Sequence, residues 1–159
     1  MPARTLTTTR LAGNTTAYQP THVVLYVRVS SKDQEAEGLS IPAQVRLLRE
    51  YAASKRFAIV REFEDVETAK MSGRTHFNEM LAYLKRHHAS CRTILAEKTD
   101  RLYRNPKDWV TLDDLDVEIH FVKENEIASR NSRSSEKFMH RHEGPDGQEL
   151  HRQSLRRNA

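Results

Sequence analysis

Between His22 and Val122, four short runs rich in β-branched and aromatic residues alternate with stretches whose apolar residues recur at helical spacing. His22–Val29 (HVVLYVRV), Phe57–Phe63 (FAIVREF), Thr93–Glu97 (TILAE) and Val117–Val122 have the length and composition of buried strands. Ile41–Lys55 opens on Pro42 and repeats Ala43, Leu47, Leu48, Tyr51 and Ala52, which predicts a helix. Phe77–His87 sets Phe77, Met80, Leu81 and Leu84 on one helical face, and Pro106–Leu115 reads as a further helix. Such alternation confines the chain to βαβ units. The predicted fold is α/β, with a mostly parallel central sheet of about four strands flanked by helices. Ser31–Ser40 and Glu64–Thr75 are expected as loops, the second mobile around Ser72-Gly73.

Outside this stretch the pattern fails. Residues 1–21 carry Thr, Asn, Gly and Pro without periodicity and are expected to form a flexible leader. Residues 22–142 form the predicted domain, and 143–159 a disordered basic tail anchored only by Leu150 and Leu155. With 159 residues, 37% of them hydrophobic and 30% charged, one soluble domain with one core is expected. No apolar run nears the ~20 residues of a membrane span, and the N-terminus lacks a secretory core. The lone Cys91 excludes an internal disulfide and a cysteine metal cluster, so a cytoplasmic location is expected. A formal charge of +4 permits nucleic-acid binding without demonstrating it.

Two segments carry chemistry. In Tyr26-Val27-Arg28-Val29-Ser30, strand alternation sends Tyr26, Arg28 and Ser30 to one side. Strand ends of open parallel sheets are where ligand sites form, and a serine beside a fixed cation there suits attack on an anionic substrate. Alone, this segment is better explained by a surface cation and a turn serine. Asp100-Arg101-Leu102-Tyr103-Arg104 follows the third strand. In a helical turn Arg101 and Arg104 would share a face at i, i+3, with Asp100 reaching Arg104 at i, i+4. Two such guanidiniums suit a phosphate, which each can hold bidentately, whereas the plainer explanation is a solvated ion-pair cluster. Both segments follow strand ends of one sheet, which favours a shared crevice.

At this point four collinear segments resemble the resolvase/invertase N-terminal domain of the serine recombinase family: YVRVSSKDQ (26–34), GLSIPAQ (38–44), SGRTHFNEML (72–81) and LAEKTDRLYRN (95–105). The likeness covers roughly residues 22–140. GLSIPAQ and HFVKEN (120–125) are similar to the large serine recombinases of mobile elements. The resemblance implies that Ser30 attacks a DNA phosphodiester, leaving a 5′-phosphoserine and a free 3′-hydroxyl. It implies that Arg28, Arg74, Arg101 and Arg104 surround the scissile phosphate, and that Gln34 and Asp100 orient the cluster. Double-stranded DNA is then the partner, acted on by a homodimer or tetramer, with no cofactor. Guanidiniums can offset phosphoryl-transfer charge where other enzymes use a metal, and these motifs offer no carboxylate pair for Mg²⁺. The base for Ser30 stays open between Asp100 and a transiently deprotonated arginine, the latter difficult at arginine's pKa.

The family's long dimerising helix has no counterpart after residue 142, because Gly144-Pro145 would stop a helix and no amphipathic stripe follows. A truncated or vestigial copy is therefore expected, with a non-catalytic dimerising fragment that modulates a full-length recombinase as the alternative. A third reading, a small α/β domain binding a nucleotide through the same arginines, is disfavoured by the lack of a Gly-rich phosphate loop after the first strand. No metal site is expected from His87-His88 or from His140 and His142, which lack partners at metal-ligand spacing. Trp109 reads as core.

Overall fold

The first strand, β1 (His22–Ser30), is buried on both faces, and the molecule is built around it. The computed structural model describes residues 18–30, 40–68 and 73–130. Val23, Leu25 and Val27 pack with Val45, Leu48 and Ala52 of helix α1 (Ile41–Lys55). Val24 and Tyr26 turn the other way, onto Phe77, Met80 and Leu84 of α2 (Thr75–Arg86). The two-residue period of a strand thus loads one β1 residue after another into two separate core layers.

The remaining elements are β2 (Ala58–Glu67), β3 (Cys91–Ala96), a single turn α3 (Thr99–Leu102), α4 (Pro106–Asp114), β4 (Glu118–Phe121) and β5 (Glu126–Ala128). The strands lie in the order β2-β1-β3-β4-β5. All pairings are parallel except β4 with β5. The α/β class with a mostly parallel sheet is as expected, and β5 extends the four predicted strands to five. That three-residue strand is too short to leave a periodic signal. It closes a hairpin in which Asn125 takes a positive φ of 51°, a conformation asparagine tolerates well. Trp109 and Leu112 of α4 join the α2-side core layer.

Helix starts follow local chemistry. The Ser40 hydroxyl accepts from Ala43 N–H, and the Asn105 carbonyl from Asp108 N–H at 3.2 Å, each one residue before a proline-containing first turn. α2 has no cap of its own. Asp65, reaching over from β2, accepts from the His76 and Phe77 N–H groups at 3.1 and 2.9 Å.

The largest departure from expectation lies in β2, which runs on through Glu64–Glu67, where a loop is predicted. The polar run Glu64-Asp65-Val66-Glu67 hides its strand because β2 is an edge strand and partners from elsewhere in the chain engage its acids. Val66 is accordingly half exposed. α2 also begins two residues earlier than predicted, on the Asp65 cap. Of the expected leader, Tyr18–Thr21 is described, and the Thr21 carbonyl accepts from Ala58 N–H at 2.9 Å. The rest of the leader, Gln34, His140, His142 and the tail 143–159 lie outside the described residues. Among the described residues no helix is long and apolar enough to cross a membrane.

Candidate active site

Pairing of β1 with β3 ends at Leu25 opposite Leu95, whereas pairing with β2 continues to Ser30 opposite Glu67. Beyond Leu25 the side of β1 toward β3 needs other partners. Gln44 of α1, fully buried, supplies them: its Oε1 accepts from Arg28 N–H at 3.3 Å and its Nε2 donates to the Arg28 carbonyl at 3.0 Å. An amide satisfies both the donor and the acceptor of one residue, as a further strand would. The opening between β1 and β3 also receives α3, whose carbonyls become part of the site.

The Arg28 guanidinium faces that turn. Nε donates to the Arg101 carbonyl at 3.2 Å and Nη2 to the Asp100 carbonyl. The remaining nitrogen, Nη1, donates to Glu67 Oε2 at 3.1 Å. The other Glu67 oxygen, Oε1, lies 3.2 Å from Arg104 Nη1. One carboxylate from the end of β2 therefore bridges two arginines. Ser30, half-buried, is the register partner of that same glutamate and lies on the same face of β1 as Arg28.

Arg74 lies one layer deeper. Its Nη1 pairs with Asp108, Nη2 donates to the Leu102 carbonyl and to the Tyr26 hydroxyl, and Nε donates to the same hydroxyl at 3.3 Å. The guanidinium also covers the Phe77 ring, 3.8 Å from its centroid. Tyr26 in turn donates to Asp65 at 2.8 Å. Burial raises the Tyr26 pKa well above the usual phenol value, and the nearby Arg74 only partly opposes this. Asp108 links the layers, since the oxygen that holds Arg74 also accepts from Arg104 N–H at 2.7 Å.

Arg101 points inward. Its Nε lies 3.3 Å from Glu97, which is fully buried at the end of β3 and also meets Lys123 Nζ at 3.3 Å. The helical turn ends at Leu102 and Tyr103 is extended, so Arg101 is buried and Arg104 exposed rather than the two sharing a face. The Asp100 side chain is 68% exposed and meets Lys98 at 3.5 Å, not Arg104. Asp100 reaches the cluster through its main-chain carbonyl.

Contacts thus join all four predicted arginines: Arg28 to Arg104 through Glu67, Arg104 to Arg74 through Asp108, and Arg28 to Arg101 through a carbonyl. They come from three separate segments and meet at the end of the parallel sheet where β1 closes on Ser30. Chemically, the cluster sets the guanidiniums of Arg28 and Arg104 on Glu67, the register partner of Ser30, and paired guanidiniums suit an oxyanion. The side chains that fix it, Gln44, Glu67, Glu97, Asp65 and Asp108, are not among the predicted site residues. Gln44 had a signal: it interrupts the apolar stripe Ile41, Val45, Leu48, Ala52. The acids had none, because each is held by a partner distant in sequence or turned inward by the local fold. The His88 ring bonds the Leu115 carbonyl at 3.0 Å, and His87 stacks on Tyr83 at 4.2 Å.

Fold and site define an α/β domain with a linked arginine cluster at the mouth of its parallel sheet. The family model described as "Resolvase, N terminal domain" matches residues 23–144, and the chain belongs to that family. Similar solved structures share the fold. The N-terminal catalytic domain of TP901-1 integrase matches at 23% identity and a TM-score of 0.58, over 74% of this chain and 88% of that one. A resolvase family site-specific recombinase from Streptococcus pneumoniae matches at 23% identity and 0.61, over 86% and 91%. The C-terminal catalytic domain of ISC1926 TnpA, an IS607-like serine recombinase, matches at 24% and 0.51, over 64% and 70%. No curated protein matches the chain.

Proposed function

We propose that this chain is the catalytic domain of a site-specific DNA recombinase that cuts and rejoins strands through Ser30. The Ser30 oxygen attacks the phosphorus of a DNA phosphodiester and forms a P–O bond as the bond to the 3′ oxygen breaks. The serine hydroxyl gives up its proton, and the departing 3′ oxygen gains one. The product is a 5′-phosphoserine and a free 3′-hydroxyl. Attack by a 3′-hydroxyl of another strand reverses the step, and because the phosphoester is conserved no nucleotide cofactor is consumed. Arg28 and Arg104 would hold the non-bridging oxygens as charge builds. Arg74 and Arg101, more deeply buried, would set the potential of the site and the position of the α3 turn. Double-stranded DNA is the partner, with assembly into a dimer or tetramer to bring two duplexes together.

The observation that carries this reading is the register of Ser30 against Glu67, the residue that gathers Arg28 and Arg104. It sets the candidate nucleophile and two cations from different segments at one sheet end. The test is covalent capture. Duplex DNA bearing the element's recombination site should yield a protein–DNA adduct on a denaturing gel with the wild-type chain and none with Ser30→Ala. An adduct of equal yield in both would remove Ser30 from the reaction.

A further inference from the structure

Glu67 binds two of the cluster's arginines through their side chains, and its surroundings are unusual. Its side chain is 12% exposed, between Arg28 at 3.1 Å and Arg104 at 3.2 Å. Oε1 is buried and, among the described residues, accepts no aligned hydrogen bond, the Arg104 contact being an ion pair without that alignment. A carboxylate this far from water is costly unless opposite charge compensates it. The two arginines supply that charge. Without an anion, two guanidiniums from separate segments would repel each other at the mouth of the sheet. A carboxylate at that point offers the planar pair of oxygens that a phosphate also offers.

We propose that Glu67 is a positioning residue that stands in for the substrate phosphodiester: it holds Arg28 and Arg104 together while the site is empty and yields them when a DNA phosphate arrives. This rests on the reading that the site takes a DNA phosphate. Two consequences follow. The arginines are already gathered before substrate enters, so less ordering is left for the binding step. The phosphate must also displace an internal anion, so each act of binding works against the Glu67 contacts. Glu67 therefore lowers affinity for DNA in general while keeping the clamp in shape. A glutamate that merely braced the fold would act oppositely, because removing it would disperse the arginines and weaken binding.

The sign of the change is the test. The probe is a fluorescein-labelled DNA duplex of arbitrary sequence, titrated at low salt with the full chain carrying Ser30→Ala to prevent cleavage. Glu67→Gln, which keeps shape and removes charge, should bind about five- to tenfold more tightly. Its log-affinity should also fall more steeply with log salt, by about 0.9 for one further phosphate contact. Adding Arg104→Ala should abolish the gain. Glu67→Asp keeps the charge but is one methylene too short to span both arginines, so it should move affinity in the same direction by less. It serves as the decisive variant if Glu67→Gln fails to fold. Equal or weaker binding by a folded variant overturns the proposal, as does a gain that survives Arg104→Ala or an absence of binding by every variant. Covalent capture is scored separately. A binding gain without a Ser30-dependent adduct keeps this role and discards strand cleavage, and an adduct without the gain does the reverse.

Discussion

Tyr26 stands between an acid and a base, donating to Asp65 at 2.8 Å and accepting from Arg74. Burial holds its phenol protonated beyond the usual range. The sign of the pH effect follows. The folded-state pKa lies above the unfolded value of about 10, so below that pH the phenol is protonated in both states and its contribution is fully present. Above it the unfolded chain releases the proton and the folded chain does not, so stability drains away as pH rises toward the folded pKa. Tyr51 and Tyr103 are also shifted upward by burial, so the comparison must isolate Tyr26. Tyr26→Phe should cost about 1–3 kcal/mol near neutral pH, because Asp65 loses a donor and Arg74 an acceptor. It should also flatten the decline of melting temperature above pH 10. Calorimetric melts of both proteins from pH 8 to 11 check this, and parallel declines would show that Tyr26 does not carry the effect.

At the scale of elements, the tie between β2 and α2 governs how Arg74 is presented. Arg74 is the residue before α2, and that helix starts where Asp65 caps its first N–H groups. Asp65→Ala removes both caps and the Tyr26 acceptor, and should cost about 2–4 kcal/mol. Amide exchange should speed up first at His76 and Phe77, while the amides of β3 keep their protection until global unfolding. Uniform loss of protection would show that the cap is not local to α2. The same pair of elements explains which parts of the molecule can be read from sequence. β1, β3 and the apolar faces of α1 and α2 declare themselves because hydrophobic burial imposes a period on the residues themselves. The polar half of β2 does not, since Asp65 and Glu67 are stabilised by Tyr26, Arg28 and Arg104 rather than by their neighbours. The candidate site divides in the same way. Ser30 and the arginines are residue types whose chemistry shows in their motifs, whereas Gln44 shows only as a break in the α1 stripe, and Glu97 and Asp108 gain their roles once β3, α3 and α4 are brought together. Asp100 shows the converse: its motif position is plain, yet its carbonyl and not its carboxylate meets Arg28.

For the whole molecule, β1 feeds both core layers, as β3 does through Ile94 and Leu95, and this bears on whether the site can exist apart from the global fold. Leu48 is fully buried on the α1 side with Val23, Leu25 and Val27, while Trp109 is buried on the α2 and α4 side with Val24 and Tyr26. The arginines come from β1, from the start of α2 and from the segment after β3, so no single layer holds them. If the layers fold as one unit, damage to one must be felt in the other. Leu48→Ala opens a cavity beneath the sheet and should lower stability by about 2–5 kcal/mol. Trp109 is the only tryptophan in the chain, so its fluorescence reports on the opposite face. In Leu48→Ala its denaturant midpoint should fall together with that of the far-ultraviolet circular dichroism, both by the same amount. A Trp109 transition that stayed at the wild-type midpoint while the dichroism moved would mean that the layers unfold separately. Arg74, Arg101 and Arg104 would then stay gathered without Arg28, since the Arg28 main chain is fixed by Gln44 on the α1 side. Coincident transitions instead make the integrity of the cluster a property of the whole sheet, so a destabilising substitution in α1 would weaken DNA binding without touching a single guanidinium.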